Sequence, residues 1–139
     1  LKVALSFGGG RLASELVLDI LKDGSYRRHV EALRQRLAQA MAQTRGRLAA
    51  LGIEPWLTPR GGLFLWCRLP DGHDAGEIAR HALGEGVVLA PGNAFSLSRT
   101  ARDFMRFNVA QAADPRIFSV LREAMRAAAS HESASEGLR

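Results

Sequence analysis

The apolar residues of this chain keep a helical period as far as Gly52 and switch to a period of two after Pro55, so helices must be followed by a sheet. Leu12, Leu16, Val17, Ile20 and Leu21 recur at helical spacing, and Lys22-Asp23-Gly24 supplies a glycine to stop that helix. From Tyr26 a second set, Val30, Leu33, Leu37, Met41, Leu48 and Leu51, recurs every three, four or seven residues. This spacing predicts a helix of roughly 26 residues, or about 39 Å, ended by Gly52. Its other face carries Arg27, Arg28, Arg34, Arg36, Arg45 and Arg47 against Glu31 alone.

Beyond Pro55, Trp56–Thr58 and Leu63–Leu69 read as strands joined by the turn Pro59-Arg60-Gly61-Gly62. In the second strand Leu63, Leu65 and Cys67 alternate with Phe64 and Trp66, which predicts burial on both faces. Pro70-Asp71-Gly72 ends it. Asp74, with Glu77 three residues on, is a capping-box pattern for a helix through Leu83. Val87–Ala90 reads as a short buried strand stopped by Pro91-Gly92, and Phe104–Val109 as the next. Asp114-Pro115 then opens a helix with Ile117, Val120, Leu121, Ala124, Met125 and Ala128 inward. From Ser130 the residues are small or polar and predict a frayed tail. The order predicts an α+β fold: a small, mainly antiparallel sheet with helices packed on one face. At 139 residues one core is expected. One domain would cover residues 1–129, with a linking helix in 1–23, the long helix in 24–52, and the sheet with its helices in 53–129; 130–139 would be the tail.

Several function classes are excluded or weakened by composition. No apolar run approaches the roughly 18 residues that cross a bilayer, and Leu1-Lys2-Val3-Ala4-Leu5 is too short for a signal peptide. Cys67, the one cysteine, cannot form an internal disulfide and fits a reducing compartment. A cytoplasmic protein is expected. Gly8-Gly9-Gly10 could present N–H groups to a phosphate at a helix start. No GK[ST] follows it, however, and the G-x-G-x-x-G spacing is absent, so it reads as a flexible helix entry. His29, His73, His81 and His131 have no spacing that pairs two of them on one face, and no metal site is expected. No serine lies in a G-x-S-x-G elbow. The net charge of +5 is almost all arginine, because Lys2 and Lys22 are the only lysines. The basic face of the long helix could meet nucleic acid or an acidic partner. It lacks interleaved aromatics and a helix-turn-helix pattern, so a solvated or protein-docked face is the simpler reading.

Arg106 stands apart. Alternation in Phe104-Met105-Arg106-Phe107-Asn108-Val109 places it on one strand face with Phe104 and Asn108. Burying such a charge unpaired is costly, so an anionic partner is expected. Two readings stand open: an internal salt bridge, or a planar fork held ready for a ligand carboxylate.

Five stretches taken in order bring in a family. They are Gly24-Ser25-Tyr26-Arg27-Arg28-His29; Pro59-Arg60-Gly61-Gly62-Leu63-Phe64-Leu65-Trp66; Leu69-Pro70-Asp71-Gly72; Gly86-Val87-Val88-Leu89-Ala90-Pro91-Gly92 with Phe95; and Met105-Arg106-Phe107. Their order resembles the C-terminal small domain of fold-type I pyridoxal-phosphate aminotransferases, and most closely the aminotransferase-like domain of the MocR branch of GntR-family transcriptional regulators. The resemblance implies that Arg106 binds a substrate or effector α-carboxylate. Gly61, Gly62, Pro91, Gly92 and Phe95 would then border the site. It also implies a full-length parent that uses pyridoxal 5'-phosphate and dimerises. An amino acid or amine would be its small-molecule ligand, and a large domain would supply the lysine that carries the cofactor. In the MocR branch a separate N-terminal domain binds DNA. Neither Lys2 nor Lys22 matches the family's lysine, so this chain is expected to carry no catalytic residue, to hold no cofactor by itself and not to transaminate.

Overall fold

A computed structural model describes residues 10–136, with side chains described as far as Ala129. Lys2, Gly8 and Gly9 lie outside the described residues, as does the side chain of His131. The chain divides into two compact units, residues 1–36 and 37–139, with the boundary inside the second helix.

In the first unit, α1 spans Arg11–Lys22 and buries none of its residues. Gly10 occupies its N-cap without a side-chain hydrogen bond. The sequence reading of this helix holds at both ends. After Asp23-Gly24 the chain re-enters a helix at once, α2, Ser25–Ala49.

The second unit contains the core. Its sheet comprises β1 (Glu54–Pro55), β2 (Phe64–Arg68), β3 (Ala90–Pro91) and β4 (Phe104–Asn108), in the order β1-β2-β4-β3 with every pair antiparallel. Two further helices, α3 (Ala75–Gly84) and α4 (Pro115–Glu136), complete it. Leu65 and Cys67 of β2 face the helices together with Met105 and Phe107 of β4. They pack with Met41 and Leu48 of α2, Ala75, Ile78 and Ala82 of α3, and Phe118, Leu121 and Ala124 of α4. This is the expected α+β architecture, with the helices of the unit on one sheet face.

Both inferred caps serve their helices. The Asp74 carboxylate accepts from the N–H groups of Gly76 and Glu77 at 2.7 and 3.1 Å. Asp114 accepts from Arg116 N at 2.9 Å. Each satisfies donors that a helix start leaves open.

The short strands depart from the sequence reading. The first lies at Glu54–Pro55, not at Trp56–Thr58: Trp56 N still donates to Trp66 O at 2.9 Å, but Trp56 and Leu57 lie in a bend outside the ladder. Val87–Ala90 is corrected to Ala90–Pro91. The N–H of Val87 is taken by Ala82 O at the end of α3, 2.9 Å away, so it cannot enter a ladder, and Val88 is exposed. Pro91 pairs instead of stopping the strand, which an edge position permits because no N–H is required there. Burial of β2 on both faces is also corrected. Leu65 and Cys67 are fully buried, whereas Phe64 remains 44% exposed, because the helices of this unit all serve the opposite face. Finally, α4 continues through Glu136, past the tail expected from Ser130. Ala, Ser and Glu are compatible with a helix, and no Gly or Pro interrupts before Gly137.

Cys67 gives a direct check on this core. Burial pushes its thiol up to about 12, against a smaller opposing effect of the Arg45 charge. The neutral thiol is therefore favoured by folding. The corresponding stability is complete below the unfolded-chain value near 9 and is lost as pH rises toward 12. Native protein at pH 8 is expected to resist iodoacetamide, whereas urea-unfolded protein should be alkylated fully; mass spectrometry distinguishes the two.

Candidate functional site

The sheet face turned away from the core carries Phe64, Trp66 and Arg68 of β2 and Phe104, Arg106 and Asn108 of β4. Cross-strand pairing sets Trp66 opposite Arg106, Phe64 opposite Asn108 and Arg68 opposite Phe104. On the far side of β4, Ala90 lies opposite Arg106. Arg106 thus occupies the middle of a four-stranded face, half-buried, with strands on both sides.

Of the two readings of Arg106, the internal salt bridge is absent: among the described residues Arg106 makes no ion pair. Two rings take its place. The guanidinium carbon lies 4.0 Å from the ring centroid of Phe95 and 4.4 Å from that of Phe64. Cation–π attraction and partial exposure offset the desolvation that a fully buried arginine would suffer. A ring engages the flat face of a guanidinium, whereas a carboxylate engages its N–H edge, so these contacts leave carboxylate recognition open. Beside Arg106 a cleft of about 350 Å³ is lined by Phe64, Val88, Leu89, Asn108 and Gln111, among others. Asn108 is committed to local structure: its carbonyl oxygen accepts from Ala110 N at 3.0 Å and its amide donates to Gln111 Oε1 at 3.2 Å.

The loop after β3 is built to hold Phe95. Gly92 opens a short 3-10 turn, Gly92–Phe95, and is itself buried. A β-carbon there would collide with the carbonyl oxygen of Ala101 and would lie 2.8 Å from that of Phe104. Backbone on that side cannot yield as a flexible side chain could. The Asn93 side chain accepts from Ala101 N at 3.1 Å, tying the turn to the segment leading into β4. Gly92→Ala is expected to destabilise the domain by about 1–3 kcal/mol through overpacking, read as a lower urea midpoint. A wild-type midpoint would show that the turn tolerates the methyl group.

The other loop residues are placed less closely. Pro91 pairs with Met105, next to Arg106. Gly61 and Gly62 lie in the bend before β2, and both have open space where a β-carbon would stand. Gly62 has φ 111, a conformation that favours glycine, and it precedes Leu63, whose carbonyl accepts from Val109 N at 2.8 Å. The structure therefore brings Phe95 onto Arg106 and leaves the two glycines at the end of the strand that carries Phe64.

Sequence reasoning missed Phe64 as a neighbour of Arg106, and it missed the aromatic set beside the pair. Trp66 stacks on Phe104 at 5.5 Å, with ring planes 12° apart. Trp56 meets Phe104 edge-on at 5.4 Å, and Phe95 meets Trp66 edge-on at 6.1 Å. Alternation already placed Phe64 with Trp66 and Phe104 with Arg106. Only the register between β2 and β4 joins the two sets.

No buried lysine stands among the described residues. Lys22, the lysine among them, is exposed at the end of α1. Nor do any three His, Cys, Asp or Glu among these residues group closely enough for a metal ion. No helix among them is long and apolar enough to cross a membrane.

Comparison with known proteins supplies the family. The profile of aminotransferase class I and II matches residues 3–122. The chain is similar to the uncharacterized HTH-type transcriptional regulator YdcR of Escherichia coli, 34% identical over 96 residues, covering 68% of this chain and 20% of that protein. It is also similar to 2-aminoadipate transaminase of Thermus thermophilus, 32% identical over 97 residues, covering 68% of this chain and 24% of that protein. Among solved structures, the α-aminoadipate aminotransferase LysN of Thermus thermophilus aligns with 96% of this chain and 34% of its own, at 28% identity and a TM-score of 0.61. The chain spans no more than about a quarter of the length of these curated relatives. With the profile covering most of its residues, the chain belongs to the aminotransferase class I and II family.

Proposed function

We propose that this chain is the carboxylate-binding side of an aminotransferase-like site, in the C-terminal effector domain of a GntR/MocR-type transcriptional regulator. The observation that carries the reading is Arg106: a half-buried guanidinium on the open sheet face, with aromatic neighbours and no carboxylate of its own among the described residues. A guanidinium so placed binds and orients a ligand carboxylate through its N–H edge. The family implies that the remainder of the parent contributes the pyridoxal phosphate, its lysine and the dimer interface. Similarity to YdcR, named as an HTH-type regulator, supports a DNA-binding parent. Ligand binding would then bias the position of this domain against the large one and so alter DNA affinity.

A second reading, the small domain of a true amino-acid aminotransferase, is favoured by the similarity to 2-aminoadipate transaminase. Both readings give Arg106 the same task. Full-length protein should be assayed for binding to its own upstream DNA, with and without pyridoxal phosphate and a panel of amino acids. The regulator reading expects an amino-acid-dependent change in DNA affinity that Arg106→Ala abolishes. Turnover of amino-acid and keto-acid pairs without DNA binding would establish the enzyme reading instead. The 139-residue chain mixed with pyridoxal phosphate and borohydride should show no stoichiometric adduct at a defined lysine by mass spectrometry; such an adduct would contradict its role as the half without the cofactor's lysine.

A further inference from the structure

We propose that Phe64 and Phe95 are positioning residues that clamp the guanidinium of Arg106, so that its N–H edge is presented to a ligand carboxylate in one orientation. The inference rests on the carboxylate reading above. It adds that the binding competence of Arg106 depends on two rings contributed by separate elements.

Arginine has high rotamer entropy, and a ligand that immobilises it must offset that loss. Here the loss is already incurred. Phe64 projects from β2, diagonal to Arg106 across the β2–β4 ladder, and its ring lies 4.4 Å from the guanidinium carbon. Phe95 approaches from the turn after β3, at 4.0 Å. Both rings project from anchored backbone. Phe64 sits in the ladder itself, while Phe95 meets Trp66 edge-on, and Trp66 stacks in turn on Phe104. The turn bearing Phe95 is fixed by the close packing of Gly92 and by the bond from Ala101 N to Asn93. A ring that stacks on the flat surface of a guanidinium leaves its in-plane donors for an anion. Phe64 and Phe95 are also partly exposed, 44% and 48%, so they border the open face instead of belonging to the core.

The test uses isotope-labelled 139-residue chain, observing the Arg106 side-chain Nε–H and δ-protons by NMR. Sodium propionate serves as the carboxylate probe and propionamide as its uncharged control. In wild type, ring currents should displace the Arg106 signals, and propionate but not propionamide should shift them further. Phe95→Ala and Phe95→Leu should each lose much of the ring-current displacement and raise the propionate dissociation constant, by roughly two- to tenfold if one rotamer-rich side chain is freed. Phe95→Tyr should restore both. The leucine variant keeps apolar bulk, so it remains informative if the alanine variant unfolds. A wild-type dissociation constant in Phe95→Leu would overturn the clamp while leaving the carboxylate site standing. No response of wild-type Arg106 to propionate, with its ring-current displacement intact, would overturn the carboxylate reading and the clamp's purpose with it.

Discussion

Replacing Arg106 with alanine in the full-length protein is expected to weaken carboxylate-ligand binding by about 2–5 kcal/mol if the pair is desolvated in the closed site, or roughly 30-fold to several thousandfold in dissociation constant. The size follows from what the substitution leaves behind. A ligand carboxylate taken out of water needs a charge-assisted donor, and among the described residues no second arginine shares the middle of the open face. Arg106→Lys should recover only part of the loss, because an ammonium cannot present two coplanar donors and does not stack on rings as a guanidinium does. Folding should change little, since Arg106 makes no ion pair among the described residues and points away from the core. Titration calorimetry on the two variants, with a urea curve for each, separates binding from stability. An affinity unchanged in Arg106→Ala would remove the residue from the site.

The largest effect on stability is expected from Leu121→Ala. Leu121 is fully buried in the second turn of α4, in the cluster joining that helix to α3 and to the inner face of β2 and β4. Truncating a leucine in such a place costs about 2–5 kcal/mol, the transfer term plus the cavity left behind. A small domain has roughly 5–15 kcal/mol in total, so the urea midpoint should fall substantially. Leu16→Ala on α1 provides the contrast. That leucine is 55% exposed, and its removal should change stability by less than about 0.5 kcal/mol. A loss at Leu16 equal to that at Leu121 would contradict the placement of the core.

Helices were readable from the sequence wherever the apolar period ran for several turns and a cap marked the start. Asp74 and Asp114 both accept the hydrogen bonds that their positions suggested. Short edge strands were less readable, because their limits depend on which backbone groups are already taken. Val87 shows this: its N–H closes the end of α3, and no pattern of side chains records that allocation. The candidate site divides in the same way. Arg106 was legible because a charge in an alternating apolar strand is unusual in itself. Its surroundings were not, because Phe64, Phe95 and Arg106 lie on three elements and meet only through the β2–β4 register and the turn opened by Gly92. The internal salt bridge that Arg106 could have formed is absent among the described residues for a related reason. Sequence counts charges but does not show that a guanidinium can be accommodated by rings and a partly open face.

The most direct test of Arg106 as a carboxylate clamp is a crystal structure of the full-length protein with its cofactor and a bound amino acid. The predicted result places the ligand carboxylate on the N–H edge of Arg106, with nitrogen–oxygen distances of about 2.7–2.9 Å, and keeps Phe64 and Phe95 against the guanidinium. A ligand carboxylate held by other groups, with Arg106 paired to an aspartate or glutamate of its own protein, would contradict it.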